Sequence, residues 1–115
     1  MKYLIVVDMQ NDFTTGSLGS AHAAAIIPNV VEKVKAFSGK VIFTRDTHGD
    51  DYLQTQEGKK LPVSHCIKDT DGWQIRAELD ALRKTEAIDK LTFGSSALVD
   101  VLKAEKDIES ITFVG

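Results

Sequence analysis

Three apolar runs in this chain end on residues that can do chemistry. Tyr3-Leu4-Ile5-Val6-Val7 stops abruptly at Asp8, within the string Asp8-Met9-Gln10-Asn11-Asp12-Phe13. Val41-Ile42-Phe43-Thr44 leads into Arg45-Asp46-Thr47-His48, and the short Ala87-Ile88 leads into Asp89-Lys90. A carboxylate at the end of a buried run is costly to desolvate unless it is paired. Asp46 and His48 are alternate residues, so on a strand end their side chains share one side. Further along lie Glu57 and His65-Cys66. Two carboxylates and two imidazoles suit zinc, manganese or iron, with positions left open for water or substrate. The plainer reading of each residue, as a cap or a surface loop residue, stays open on spacing alone.

The elements that must position these groups follow from hydrophobic patterning. Runs of β-branched and aliphatic residues without alternation read as strands covered on both faces, the pattern of parallel sheets. A fourth run, Ile111-Thr112-Phe113-Val114, closes the chain. Helical patterns over 23–37, 73–83 and 96–106 separate the runs. In the first, Ile27, Val30, Val31 and Val34 face inward while Glu32, Lys33 and Lys35 face water, Pro28 moves the start towards Ile27, and Gly39 supplies the stop. Ile75, Leu79 and Leu82 form the second stripe, and Leu98, Val99 and Leu102 the third. Strands alternating with helices predict a doubly wound α/β fold, a three-layer, Rossmann-type parallel sheet with helices on both faces. Such sheets carry function at the carboxyl ends of their strands. Asp8, Asp46 with His48, and Lys90 would then face one crevice. The long non-periodic stretch 49–72 should be functional, because plain connectors are shorter.

Composition bounds the rest. A chain of 115 residues, 43% hydrophobic, fits one domain. A formal net charge of -3 without a basic stripe argues against nucleic acid as a partner. No run is long and apolar enough for a membrane span, and the N-terminus lacks signal-peptide order. A cytoplasmic location is the expectation. A single cysteine excludes an internal disulfide and fits a reducing compartment.

In order along the chain, Asp8 to Phe13 followed by Gly16 and Leu18, then Thr44-Arg45-Asp46-Thr47-His48, Pro62-Val63-Ser64-His65-Cys66, Gly72-Trp73, and Asp89-Lys90 with Phe93 form a series. This series resembles the isochorismatase-like cysteine hydrolases, and within them it is most similar to the nicotinamidases. The resemblance implies hydrolysis of a small amide, nicotinamide to nicotinate and ammonia, through a Cys-Asp-Lys triad. Asp8 matches the general base that deprotonates the thiol, and Lys90 the cation that favours the thiolate, which is the attacking species. Asp46, His48 and His65 match metal-ligand positions, and Glu57 stands where some relatives place a carboxylate and others a histidine. The implied cofactor is a divalent metal, zinc first, with manganese or iron as alternatives. Phe13 matches an aromatic that flanks the substrate ring. Pro62 stands where an aromatic is common, which weakens nicotinamide against other small amides.

The resemblance also sets an expectation about extent. The family's nucleophilic cysteine opens the helix after the fourth strand, whereas this chain ends at Gly115, and Cys66 matches a non-catalytic position. Residues 1–115 are therefore expected to be one incomplete isochorismatase-like domain, without its C-terminal strands and inactive by itself. The bare outer edge of the last strand predicts a homo-oligomer or association with a C-terminal segment. A metal-independent isochorismatase-type hydrolase and a catalytically inert binding module are the alternatives.

Overall fold

The computed structural model describes residues 2–84, 86–90, 96–104 and 108–115. Within them, four parallel strands form one sheet: β1 (Lys2–Val7), β2 (Lys40–Asp46), β3 (Ile88–Lys90) and β4 (Ser110–Val114), in the order β3-β2-β1-β4. The α/β parallel architecture is the one the alternating pattern predicts. Strands β2 and β3 lie on one side of β1 and β4 on the other, so the direction of winding reverses at β1. Asp8, the first residue past β1, sits at that reversal, where open parallel sheets form their crevice.

Register decides which side chains meet the core. Tyr3 lies opposite Lys40 and Ile111, Leu4 opposite Val41 and Thr112, and Ile5 opposite Ile42 and Phe113. Leu4, Val6 and Phe43 therefore share one face. They pack against Ile27, Val30 and Val34 of helix α3 (Ile27–Ala36), and against Ile75 and Leu79. Val101 lines a cavity with Tyr3 and Ile42, which belong to the opposite face.

Helix ends differ from expectation in instructive ways. The 23–37 pattern is two helices, α2 (Ala21–Ala25) and α3, joined through Ile26 with Pro28 in the first turn of α3. Pro28 has no N–H, and a helix start does not need one. Ser20 caps α2 by accepting from the Ala23 amide at 3.0 Å. Helix α3 stops at Ala36 because Phe37 turns extended. Gly39 instead opens β2 at φ 150°, where a Cβ would overlap the Lys2 carbonyl. The 73–83 helix is corrected to a four-residue α5 (Ala77–Asp80), because the chain before it pairs elsewhere: Ile75 bridges Gln10, and the Arg76 amide donates to the Met9 carbonyl at 2.9 Å. Helix α6 spans Ser96–Lys103, and Val99, expected in its buried stripe, is exposed.

The remaining helices, α1 (Asn11–Thr14) and α4 (Gln56–Lys60), are single turns. Stretch 49–72 is more ordered than its sequence suggests. A 3-10 turn at Tyr52–Gln54 precedes α4, and Thr55 caps α4 by accepting from the Gly58 amide at 3.0 Å. The fully buried Tyr52 donates its hydroxyl to the Leu61 carbonyl at 2.9 Å. Among the described residues, no helix is long and apolar enough to cross a membrane. Phe93 lies outside the described residues.

Candidate functional site

Asp8 leaves β1 with a positive φ of 51°, a conformation that Asp tolerates better than most side chains. This turn brings its carboxylate back over the sheet end. One oxygen, Oδ2, meets the Lys90 ammonium at 2.7 Å, and the other accepts the Thr44 hydroxyl at 2.8 Å. Lys90 is the last residue of β3, with a nearly buried side chain, and Thr44 is buried on β2. The expected strand-end pair is thus assembled from three strands. A carboxylate and an ammonium at this separation form a charge-assisted hydrogen bond.

The second group of residues lies at the end of β2. Asp46, His48 and His65 are all buried, and one ligand atom from each falls within 4.8 Å of the others. Asp46 Oδ2 is 2.9 Å from His48 Nε2 and 3.4 Å from His65 Nε2. His65 Nδ1 lies 2.7 Å from the Val63 carbonyl, which can only accept, so this nitrogen carries the proton. In the neutral ring Nε2 then presents a lone pair towards Asp46. Glu57 stands apart from the three. Its Oε2 is 3.7 Å from His48 Nδ1, the nitrogen that faces away from Asp46. Tyr52 packs edge-on against both imidazoles, with ring centroids 4.6 Å from His48 and 4.9 Å from His65. Phe13 packs against His65, with ring centroids 5.4 Å apart.

Several residues that sequence reasoning passed over hold these groups in place. Gln10 is fully buried and hydrogen-bonds the backbone of Asp46. Asp12 Oδ2 accepts the Cys66 amide at 2.7 Å, fixing the residue next to His65, and a Cβ at Gly72 would overlap that same carboxylate. His48 joins the loop by ladder-like bonds, its amide donating to the Cys66 carbonyl and its carbonyl accepting from Lys68, both at 2.9 Å. The buried Trp73 donates its indole N–H to the Thr47 hydroxyl at 2.9 Å, and Arg45 stacks over its ring at 4.0 Å. Alternation of Asp8, Gln10 and Asp12 was the available signal, three polar residues at even spacing directly after a buried strand.

Cys66 has a left-handed φ of 49° and no exposed surface. Burial pushes its thiol far above the usual range. The Asp46, Asp12 and Asp8 carboxylates add to the rise, and Lys90 opposes it. A thiol in this setting stays protonated and inert, the opposite of an activated nucleophile.

The chain matches the isochorismatase domain over residues 2–115 and belongs to the isochorismatase family. No curated protein matches it. Its backbone is similar to the nicotinamidase/pyrazinamidase of Bacillus subtilis, with a TM-score of 0.83 at 24% identity, covering 99% of this chain and 70% of that one. It is also similar to the N-carbamoylsarcosine amidase of Thermoplasma acidophilum, with a TM-score of 0.76 at 25% identity over 99% of this chain and 66% of that one. A third similar structure is the pyrazinamidase of Pyrococcus horikoshii in complex with zinc, with a TM-score of 0.70 at 27% identity, covering 99% of this chain and 70% of that one.

Proposed function

We propose that these residues belong to a cysteine hydrolase of small amides, with nicotinamide as the first substrate to test. Asp8 and Lys90 are its acid–base pair, and Asp46, His48 and His65 are its metal ligands. The observation that carries this reading is the 2.7 Å Lys90–Asp8 ion pair at the same end of the sheet as a buried Asp/His/His cluster, with Asp46 and Lys90 register partners on β2 and β3. The zinc-bound pyrazinamidase among the similar structures supports it.

The residues fit a divalent metal. Three buried donors converge, two imidazoles and one carboxylate are a borderline set, and the His65 tautomer leaves a nitrogen free to ligate. When bound, the ion would supply a Lewis acid that orients a heteroaromatic or carbonyl donor of the substrate. Glu57, at the other His48 nitrogen, is read as the partner that orients this ring rather than as a fourth ligand. Phe13 would pack on the substrate ring. Asp8 would take the proton of an attacking thiol at Oδ2 and pass it to the departing ammonia, while Lys90 stabilises the negative charge at each stage. Cys66 does not provide that thiol, being buried and held protonated. Cys66 is the single cysteine of the sequence, so this reading assigns the nucleophile to none of these residues. The metal cluster favours this reading over a metal-independent isochorismatase-type reaction.

Two measurements test the proposal. Elemental analysis of the folded chain should find one zinc, manganese or iron per molecule, and none in the His48→Ala, His65→Ala double variant. Ammonia release from nicotinamide by the chain alone should be negligible; thiol-dependent release that Cys66→Ala abolishes would make Cys66 the nucleophile and sink the assignment. Among the described residues no strand pairs with the outer edge of β4, and Phe113 is 61% exposed beside it. Such an edge is a template for another chain, so light scattering at micromolar concentration should show self-association.

A further inference from the structure

We infer that Gln10 is a positioning residue for the metal centre, acting through the backbone of Asp46; the inference rests on the metal-site reading above. Strand β1 ends at Val7, whose register partner is Thr44, two residues before Asp46. The inner edge of β2 therefore lacks a ladder partner at Asp46, although β3 still pairs with its outer side through Lys90. The Gln10 side-chain amide takes the missing place. Its Oε1 accepts the Asp46 amide at 2.8 Å and its Nε2 donates to the Asp46 carbonyl at 2.8 Å, as a strand backbone would. A second Nε2 hydrogen goes to the Trp73 carbonyl at 2.8 Å.

Every partner is a backbone group, so the orientation of the amide has one solution: carbonyls only accept, and the Asp46 N–H only donates. Gln10 has no exposed surface, which leaves water unable to replace it. The constraint reaches the site directly, because Asp46 Oδ2 is the atom that meets both imidazoles, at 2.9 and 3.4 Å. A displacement of the Asp46 backbone moves that oxygen relative to His48 and His65 together. No other polar side chain is seen to bond the Asp46 amide or carbonyl among the described residues. The motif around Asp8 thus serves two centres, Asp8 the ion pair and Gln10 the ligand cluster.

The test compares the wild-type chain with Gln10→Met, which is close in volume and cannot form the three bonds. Zinc affinity is read by competition with a chromophoric chelator, and the coordination geometry by the visible spectrum of the cobalt-loaded protein. Loss of a partner behind a ligand typically weakens metal binding by ~10–100-fold. That weakening is expected in Gln10→Met, together with an altered cobalt spectrum. A purely structural role would lower the melting temperature of the metal-free protein and leave affinity and spectrum unchanged; that result overturns the inference while the metal reading stands. Absence of zinc binding in the wild type overturns the metal reading and this inference with it. If Gln10→Met does not fold, the wild type decides. The Gln10 side-chain amide resonances should shift on zinc titration and saturate at one equivalent, and their failure to move while zinc binds overturns the inference.

Discussion

The two side-chain clusters at this end of the sheet are built by different means. Asp8 directly follows β1, Thr44 lies on β2 and Lys90 ends β3, and sheet register with one left-handed turn at Asp8 brings them together. Asp46, His48 and His65 depend in addition on a loop. His65 reaches Asp46 only because the chain from Thr47 to Trp73 closes back through Tyr52, the His48–Ile67 bridge and the Asp12–Cys66 bond. A strand-borne pair is as stable as its sheet, whereas a loop-borne cluster can open by itself. A metal bound there would therefore act on the loop first and on the whole domain second.

The comparison breaks most visibly at Lys90. Lys90→Met leaves the Asp8 carboxylate without its cation, and removing one partner of a buried pair costs about 3–5 kcal/mol, with the lower figure expected here because Asp8 retains some exposure. Urea denaturation at neutral pH measures it. The Asp8→Asn, Lys90→Met double variant should lose less than the sum of the two singles. A loss below about 1 kcal/mol for Lys90→Met would class the pair with solvent-exposed ion pairs and erase the distinction drawn above.

Zinc sharpens the loop-borne half. At a hundredfold excess over its dissociation constant, a ligand bound only by the folded state adds about 2.7 kcal/mol, and the melting temperature should rise accordingly. The His48→Ala, His65→Ala double variant should show no rise. A smaller effect is expected of Asp12→Ala, which leaves the Cys66 amide buried without its acceptor at a cost of about 1–3 kcal/mol. Hydrogen exchange should then quicken between residues 65 and 70 while the β1 amides keep their protection. Equal acceleration in both regions would show that the halves are not separable.

The smallest expected effect is the pH response of Cys66. Its thiol is raised in the fold, whereas an unfolded thiol ionises near ~8.5. Above that pH the unfolded chain binds fewer protons than the folded one, so stability falls as pH rises. This alkaline decline should flatten in Cys66→Ala, measured as melting temperature between neutral pH and pH ~10. An unchanged slope would mean that the thiol contributes nothing to the loop's titration.

What was legible in the sequence follows the same division. Strands β1, β2 and β4 announce themselves through uninterrupted β-branched and aliphatic runs, and the first two carry the strand-end positions of Asp8 and Asp46, whereas Lys90 ends the three-residue β3. The pairing of Asp46 with His48 needed only the alternation of a strand. The loop was harder, since nothing local in Glu57 says that it faces the outer nitrogen of His48. The 73–83 helix was over-extended because Ile75 carries a helical spacing yet is recruited by Gln10, sixty-five residues earlier, into a bridge. Gln10 and Asp12 stood in a motif quoted for its resemblance, but their partners lie 36 and 54 residues away, beyond any window of local pattern.

The spacing of Asp8, Gln10 and Asp12 has an evolutionary consequence. Within five consecutive residues, Asp8, Gln10 and Asp12 reach Lys90, the backbone of Asp46 and the amide of Cys66, each at a fixed step from the end of β1. Point substitutions can be absorbed one at a time, but a single inserted or deleted codon here would shift all three contacts at once. The exposed Asp50 and Asp51 carry no such constraint. Lineages of this domain should therefore vary in length around residues 50–51 and keep the distance from Asp8 to Asp12 unchanged, even where the letters between them drift.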